Sequence, residues 1–196
     1  MLTFALAVFF LLITPGPAVL TVAGVGSAFG AGPGSNYIGG LFIGTNLVAI
    51  AVVSGIAAIV LADEKIRLIL LTLSATYLLF LAYKIAFAGK KIAFSAVQKS
   101  PGFWAGILLQ IVNPKAYAVS TTLFTGFVFW PENLMTETTI KFIIINAIWI
   151  PVHFAWLFAG ITLNRLNLTP QTHRRINIAM ATSLMIVFAL AILAPK

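Results

Sequence analysis

The first charged residue of the chain is Asp63, so 62 residues pass before any Lys, Arg, Asp or Glu. The chain as a whole is 61% hydrophobic and only 8% charged. A soluble domain carries roughly 25% charged residues, because polar side chains must cover its surface. A soluble enzyme, a disordered regulator and a DNA-binding protein are therefore excluded. The net charge of +8 does not favour nucleic acid, because the charges stand singly or in short groups between apolar runs.

Apolar stretches long enough to cross a bilayer occur six times. A helix of about 20 apolar residues spans the hydrocarbon core, so the first 62 residues must hold two spans, with a turn predicted at 31–36. The six predicted spans are roughly 2–25, 37–61, 68–88, 103–130, 141–165 and 175–196. No Lys or Arg precedes the first apolar run, so we expect a permanent span rather than a signal peptide.

The loop charges predict an orientation for these spans. The connections between spans one and two, three and four, and five and six hold seven Lys and Arg, against four on the other side. Positively charged loops stay in the cytoplasm. We therefore expect both termini outside.

Three matches relate the two halves of the chain at nearly constant offset. Pro15 and Pro114 are 99 positions apart, Asn46 and Asn146 are 100 apart, and an Ala-Thr-x-Leu pattern occurs at 75–78 and 181–184. Halves of three spans each must point in opposite directions. Inverted repeats with interrupted helices at corresponding positions are typical of secondary transporters, whose binding site lies at the interruptions. The sequence predicts an all-α integral membrane protein, a single transporter domain over 1–196. Its six transmembrane helices form two inverted repeats, about 1–98 and 99–196, with broken first and fourth helices.

Four stretches of the chain resemble the LysE/RhtB family of bacterial amino-acid exporters. They are Thr-Pro-Gly-Pro at 14–17, the glycines from Gly39 to Gly44, Tyr77-Leu78 and Asn-Pro-Lys-Ala at 113–116. The resemblance covers nearly the whole chain. It implies a multi-pass exporter of amino acids or similar small metabolites in the bacterial inner membrane, driven by the proton gradient and without a cofactor. The partners expected are the substrate and membrane lipid, with a homo-oligomer left open and no nucleic acid.

The chain also departs from the pattern of that family. Ala18 follows Pro-Gly-Pro where the family often has Asn, and 26–36 lacks the usual basic pair. Members commonly carry an aspartate after the glycine of span two, where this chain has Thr45 and Asn46. A matching acid of span five is replaced by Asn146. The substrate and the coupling ion therefore stay open.

The two broken helices are the predicted binding site for a substrate carboxylate. Proline fits the first position of a helix, and the amide groups that follow carry partial positive charge. A buried lysine beside the second break supplies a counter-charge, since a cation at the bilayer centre persists where it faces protein or a polar cavity. The candidate residues are Thr14, Pro15, Gly16, Pro17, Asn46, Asn113, Pro114, Lys115 and Asn146. The alternatives are prolines that only kink packed helices, a lysine near the interface, and asparagines that only bond across helices.

His153 is the candidate for proton coupling, because it lies within predicted span five and imidazole titrates near neutral pH. The alternative is a neutral histidine bonded to another helix. With no cysteine in the chain and no acid within a predicted span, neither a metal site nor an enzyme is expected. The alternative to an exporter is a passive channel or a structural membrane protein that transports nothing.

Overall fold

The computed structural model describes residues 1–57 and 100–166 throughout, with isolated positions from 63 to 83 and from 169 to 182. These described residues hold helices and turns and no strand, so this part of the protein is all-α. The helices of the two continuous ranges are α1 (Leu2–Ile13), α2 (Pro17–Phe29), α3 (Ala31–Val53), α4 (Phe103–Val112), α5 (Pro114–Thr125) and α6 (Leu134–Arg165). Predicted spans three and six, Tyr77-Leu78 and the Ala-Thr-x-Leu patterns lie largely outside the described residues.

Two of these helices, α3 and α6, are long and apolar enough to cross a membrane. The pair α1 and α2 passes the same test as one bent element, with 55° between its halves. At 1.5 Å per residue α1 and α2 are each about 18–20 Å long, so the break between them falls near the middle of a bilayer core of about 30 Å. The helices α4 and α5, on either side of Asn113, are about 15 and 18 Å long by the same measure. Both breaks stand where the prolines predicted them.

The turn predicted at 31–36 is wrong, because those residues form the first turns of α3. The chain reverses instead at Gly30, whose φ of 81° is a left-handed conformation that suits glycine. Pro33 does not stop the helix. It lies within the first turn of α3, where amide groups have no helical partner and the missing N–H of proline costs nothing.

The start of span five, predicted at Lys141, is also wrong, because α6 begins at Leu134. Asn133 caps the helix by accepting the amide proton of Thr136 at 3.0 Å. Glu137 and Lys141, one turn apart, then form a buried ion pair with 2.7 Å between Oε1 and Nζ. Pairing offsets much of the cost of burying each charge, so both residues fit inside an apolar helix.

The same ion pair fastens α6 to the segment that precedes it. Oε2 of Glu137 accepts the backbone amides of Phe129 and Trp130, and Nζ of Lys141 donates to the carbonyl of Phe124 at 2.9 Å. Glu137 thus lies buried in the first turn of α6.

Two pairs of the described helices are in close contact. The most extensive contacts are those of α3 with α4 and of α2 with α6. A Cβ atom on Gly40 or Gly106 would overlap backbone of the facing helix, and one on Gly160 would overlap the backbone of Ala23. The glycines of α3 and α4 thus permit close approach of the two helices.

A separate cluster of apolar side chains packs α1 against α5 and α6. Phe4 and Val8 of α1 are buried with Leu123 of α5 and Ile145 of α6. The ring of Phe4 also lies 5.5 Å from that of Phe127, centroid to centroid.

Candidate functional site

The first break comprises Thr14, Pro15 and Gly16. Gly16 is extended (φ −163°, ψ 179°) and is the N-cap of α2, with Pro17 as the first helical residue. Glycine has no side chain that could accept a helix amide, and α2 has no side-chain cap. The amide of Leu20 bonds to the carbonyl of Gly16 at 3.0 Å. Within the described part of the chain, the amides of Ala18 and Val19 have no acceptor, as expected for the first turn of an uncapped helix.

The second break is a single residue, Asn113, followed at once by Pro114 as the first residue of α5. Here the helix start is capped. Oδ1 of Asn113 accepts the amide proton of Lys115 at 3.1 Å, and its carbonyl accepts that of Ala116 at 3.0 Å. The amides that open α5 are therefore used within the break itself.

Lys115 joins the two breaks. Its Nζ donates to the carbonyl of Thr14 at 2.6 Å, across 101 positions of sequence. Its side chain lies against Gly16, where an added Cβ would be 2.9 Å from Cδ of Lys115. Gly16 is thus needed for the close approach of the lysine, whereas its extended backbone suits any residue. The arrangement places an ammonium group beside the uncapped start of α2.

A network of side-chain amides lies next to this lysine. Asn46 and Asn146 exchange two hydrogen bonds, of 3.1 and 3.0 Å, between α3 and α6. Gln110 donates to Oγ1 of Thr45 at 2.6 Å and accepts from Nδ2 of Asn113 at 2.8 Å. These bonds satisfy buried polar groups and hold α3, α4 and α6 in register around the second break.

A cavity opens between these groups. It leaves about 60 Å³ for the centres of water molecules, several times the 10–15 Å³ that one water needs. Its walls are mostly apolar, with Leu11, Leu12, Val19, Val119, Leu123, Phe142, Ile145 and Trp149 among them. Its polar lining is Thr45, Asn46, Gln110, Asn113, Lys115, Ser120, Asn146 and His153. Among the described residues that line it, Lys115 is the only one with a permanent charge.

His153 lies at the edge of this cavity and is 2% exposed. Its Nδ1 is 2.9 Å from the carbonyl of Trp149, and its ring stacks on the indole with 3.5 Å between centroids. Since a carbonyl only accepts, Nδ1 carries a proton in this bond. Among the described residues the bond of this histidine is thus within its own helix, whereas the alternative drawn from the sequence was a bond to another helix.

The structure brings most of the predicted site residues together. Six of them line the cavity: Gly16, Asn46, Asn113, Lys115, Asn146 and His153. The others lie beside it without lining it: Thr14 and Pro15 are exposed, Pro17 is buried and Pro114 is half-buried. Sequence reasoning missed the indole of Trp149, whereas it predicted free amides after the first break, where the structure has those of Ala18 and Val19. The Gly-Pro and Asn-Pro pairs indicated the starts of α2 and α5, since an N-cap residue followed by proline is typical of a helix start.

No cluster of three His, Cys, Asp or Glu side chains that could hold a metal ion occurs among the residues described in the structure. The polar groups around the cavity are amides, hydroxyls, one ammonium and one imidazole. They are suited to hydrogen bonding and to holding an anion.

Comparison with known proteins places the sequence in a family. The profile of the LysE type translocator matches residues 9–195. A leucine efflux protein of Enterobacter sp. (strain 638) is 26% identical over 155 residues, which cover 73% of this chain and 69% of the relative. A leucine efflux protein of Salmonella typhimurium is 27% identical over 133 residues, which cover 64% of this chain and 62% of the relative. A cysteine/O-acetylserine efflux protein of the same organism is 32% identical over 117 residues, or 59% of each chain. No solved structure gives a significant match.

Apolar helices long enough to cross a membrane, a bent pair formed by α1 and α2, and a cavity with polar side chains in its lining are features of a membrane transport protein. The profile match covers nearly the whole sequence. The chain belongs to the LysE type translocator family.

Proposed function

We propose that the chain is a secondary transporter that exports amino acids or related small carboxylates across the bacterial inner membrane. The names of its relatives, leucine efflux and cysteine/O-acetylserine efflux proteins, support this substrate class. We also propose that its six spans form two inverted repeats. The reciprocal bond between Asn46 and Asn146, which the sequence pairs at an offset of 100, supports that arrangement.

The observation that carries the proposal is the bond from Lys115 Nζ to the carbonyl of Thr14. In a cavity with no other permanent charge among its described lining, this ammonium is the natural partner of a carboxylate. A carboxylate that binds beside Gly16 meets the lysine on one side and the amides of Ala18 and Val19 on the other. The lysine then exchanges a backbone carbonyl for a charged acceptor.

This site links the two proposed repeats through the substrate. The lysine belongs to the second repeat and the uncapped amides belong to the first. Alternating access requires one repeat to move against the other around a fixed site. A ligand held by both repeats has different contacts in each state, which is the condition for a ligand to shift such an equilibrium.

The proposal is tested by counterflow in proteoliposomes with Lys115→Ala. Counterflow detects exchange without a net gradient, which a passive channel or a structural protein does not show. We expect the wild type to accumulate labelled leucine or cysteine and the variant to lose at least 100-fold in rate with near-normal expression. Lys65→Ala, which removes an exposed lysine outside the cavity, is the matched control and should behave as wild type. Transport by Lys115→Ala at the wild-type rate would refute the site.

We further propose that both termini lie outside. The support is the excess of seven Lys and Arg against four in the loops on the other side. A reporter that works only in the cytoplasm, fused after Lys196, is expected to stay silent, while the same reporter inserted after Lys91 should be active. Activity after Lys196 would reverse the orientation.

A further inference from the structure

We propose that the site is built for a carboxylate without an ammonium partner, so that its preferred substrates are 2-oxo or 2-hydroxy acids with an apolar body rather than zwitterionic amino acids. This inference rests on the proposed exporter function and narrows its substrate class. It starts from the charges around the cavity.

The chain has four acidic residues. Asp63, Glu132 and Glu137 do not line the cavity, and Glu137 is held by Lys141. The fourth, Glu64, follows Asp63 directly in the sequence and lies 18 positions beyond Asn46. The described lining therefore offers the ammonium group of an amino acid no carboxylate to pair with.

Most neutral acceptors of the described lining are already engaged, the oxygen of Ser120 and Nε2 of His153 being the exceptions among its side chains. The side-chain oxygens of Asn46 and Asn146 bond to each other's amides. The oxygen of Asn113 caps α5, and that of Gln110 accepts from Asn113. Oγ1 of Thr45 accepts from Gln110. An ammonium group needs up to three acceptors, so beyond Ser120 and His153 it would have to share or break bonds of this network, whereas no carboxylate of the described lining is at hand.

Donors, in contrast, remain available. Among the described residues Lys115 Nζ has one acceptor, the carbonyl of Thr14, and an ammonium carries three protons. The amides of Ala18 and Val19 add two more donors at the cavity wall. The site thus matches a group that only accepts, which is what a carboxylate or a 2-oxo acid presents.

Repulsion strengthens the discrimination. In an amino acid the two charged groups share one carbon atom, so the ammonium would lie within about 5 Å of the lysine that holds the carboxylate. At an effective dielectric constant near 20 this corresponds to a loss of affinity of the order of 100-fold before screening. A carbonyl or hydroxyl in place of the amine avoids that loss. The apolar walls of Leu11, Val119 and Phe142 accommodate an aliphatic or small aromatic body.

The test is equilibrium binding to the purified full-length chain in nanodiscs with three matched pairs of ligands. They are pyruvate and alanine, 4-methyl-2-oxopentanoate and leucine, and phenylpyruvate and phenylalanine. We expect one of the three oxo acids to bind most tightly, according to how well its body fits the cavity. That oxo acid should bind at least tenfold tighter than the amino acid of the same pair. Leucinamide, which has an ammonium and no carboxylate, should not bind.

The isosteric variant Asn46→Asp tests the charge argument directly, because it adds an acid to the lining while a carboxylate oxygen can still accept from Asn146. It should shift the preference at least tenfold toward the amino acid. Ser54→Asp adds the same charge to the exposed end of the same helix segment and should change nothing.

The outcomes separate this inference from the proposed function. Amino acids that bind the wild type as tightly as the oxo acids overturn the inference and leave the exporter intact. The same holds if Asn46→Asp keeps the wild-type preference although it binds ligand. If no carboxylate of any pair binds, or if Lys115→Ala binds like wild type, the carboxylate site itself is wrong and both proposals fall.

Discussion

The two helix breaks look alike in sequence and differ in structure. Each has a proline as the first residue of the helix that follows, Pro17 in one and Pro114 in the other. The first break is three residues long and its helix has no side-chain cap, whereas the second is one residue long and is capped by Asn113. The second break also supplies the lysine that reaches the first.

In the proposed site, this difference divides the binding of a carboxylate between the two breaks. A helix start with bare amides attracts an anion, and a capped start holds its own residues in place. The capped break positions Lys115 and the uncapped break presents amides beside it. A single substitution at each break can therefore test which property matters.

The strongest test of this difference between the two helix breaks is to give the first one a side-chain cap. Gly16→Asn places an amide oxygen where it accepts the amide of Ala18 or Val19, as Asn113 does for α5. We expect at least a tenfold loss of substrate affinity, measured by binding in nanodiscs. Gly16→Ala is the matched control, since its Cβ also meets Cδ of Lys115 but cannot cap. If both variants bind equally well, the bare amides contribute nothing to the site.

Much of this division was predictable from sequence, because it depends on local rules. The Gly-Pro and Asn-Pro pairs located both helix starts, and the constant offset paired Asn46 with Asn146. The bond from Lys115 to Thr14 was not predictable, because it joins residues 101 positions apart through a bend of 55° in the first span. Periodicity carries no information about such an angle.

Two helix boundaries were predicted wrongly from the sequence, because the effect of neighbouring residues was not considered. The turn predicted at 31–36 assumed that proline and glycine end a helix, but Pro33 lies in a first turn that tolerates it. The start of α6 was placed too late because Glu137 and Lys141 were treated as solvated charges. Their spacing of four residues permits the pair that buries both. In each case the position of a residue in the helix, or its partner one turn away, determines whether the helix can include it.

The next prediction concerns proton coupling, because Lys115 and His153 are the titratable side chains of the described cavity lining. If the lysine stays with the anion, the proton must use His153. One pH unit across the membrane can drive at most about a tenfold gradient per proton. We expect efflux from proteoliposomes to respond to an imposed pH gradient in wild type and not in His153→Gln. A gradient that drives both proteins equally would remove His153 from the mechanism, and a wild type that ignores the gradient is an uncoupled exporter.

The smallest expected effect comes from uncapping the second break. Asn113→Ala removes the bond to the Lys115 amide and the bond to Gln110. Loss of a cap costs about 1 kcal/mol, so we expect a modest fall in thermal stability and a fall in transport of about threefold, since the lysine is less well held. Asn133→Ala is the control, because it removes the cap of α6 at an exposed site outside the cavity. Both variants should lose similar stability, and only Asn113→Ala should lose transport. A loss as large as that of Lys115→Ala would mean that Asn113 contacts the substrate itself. The second break would then bind as well as support, and the division between the two breaks would not hold.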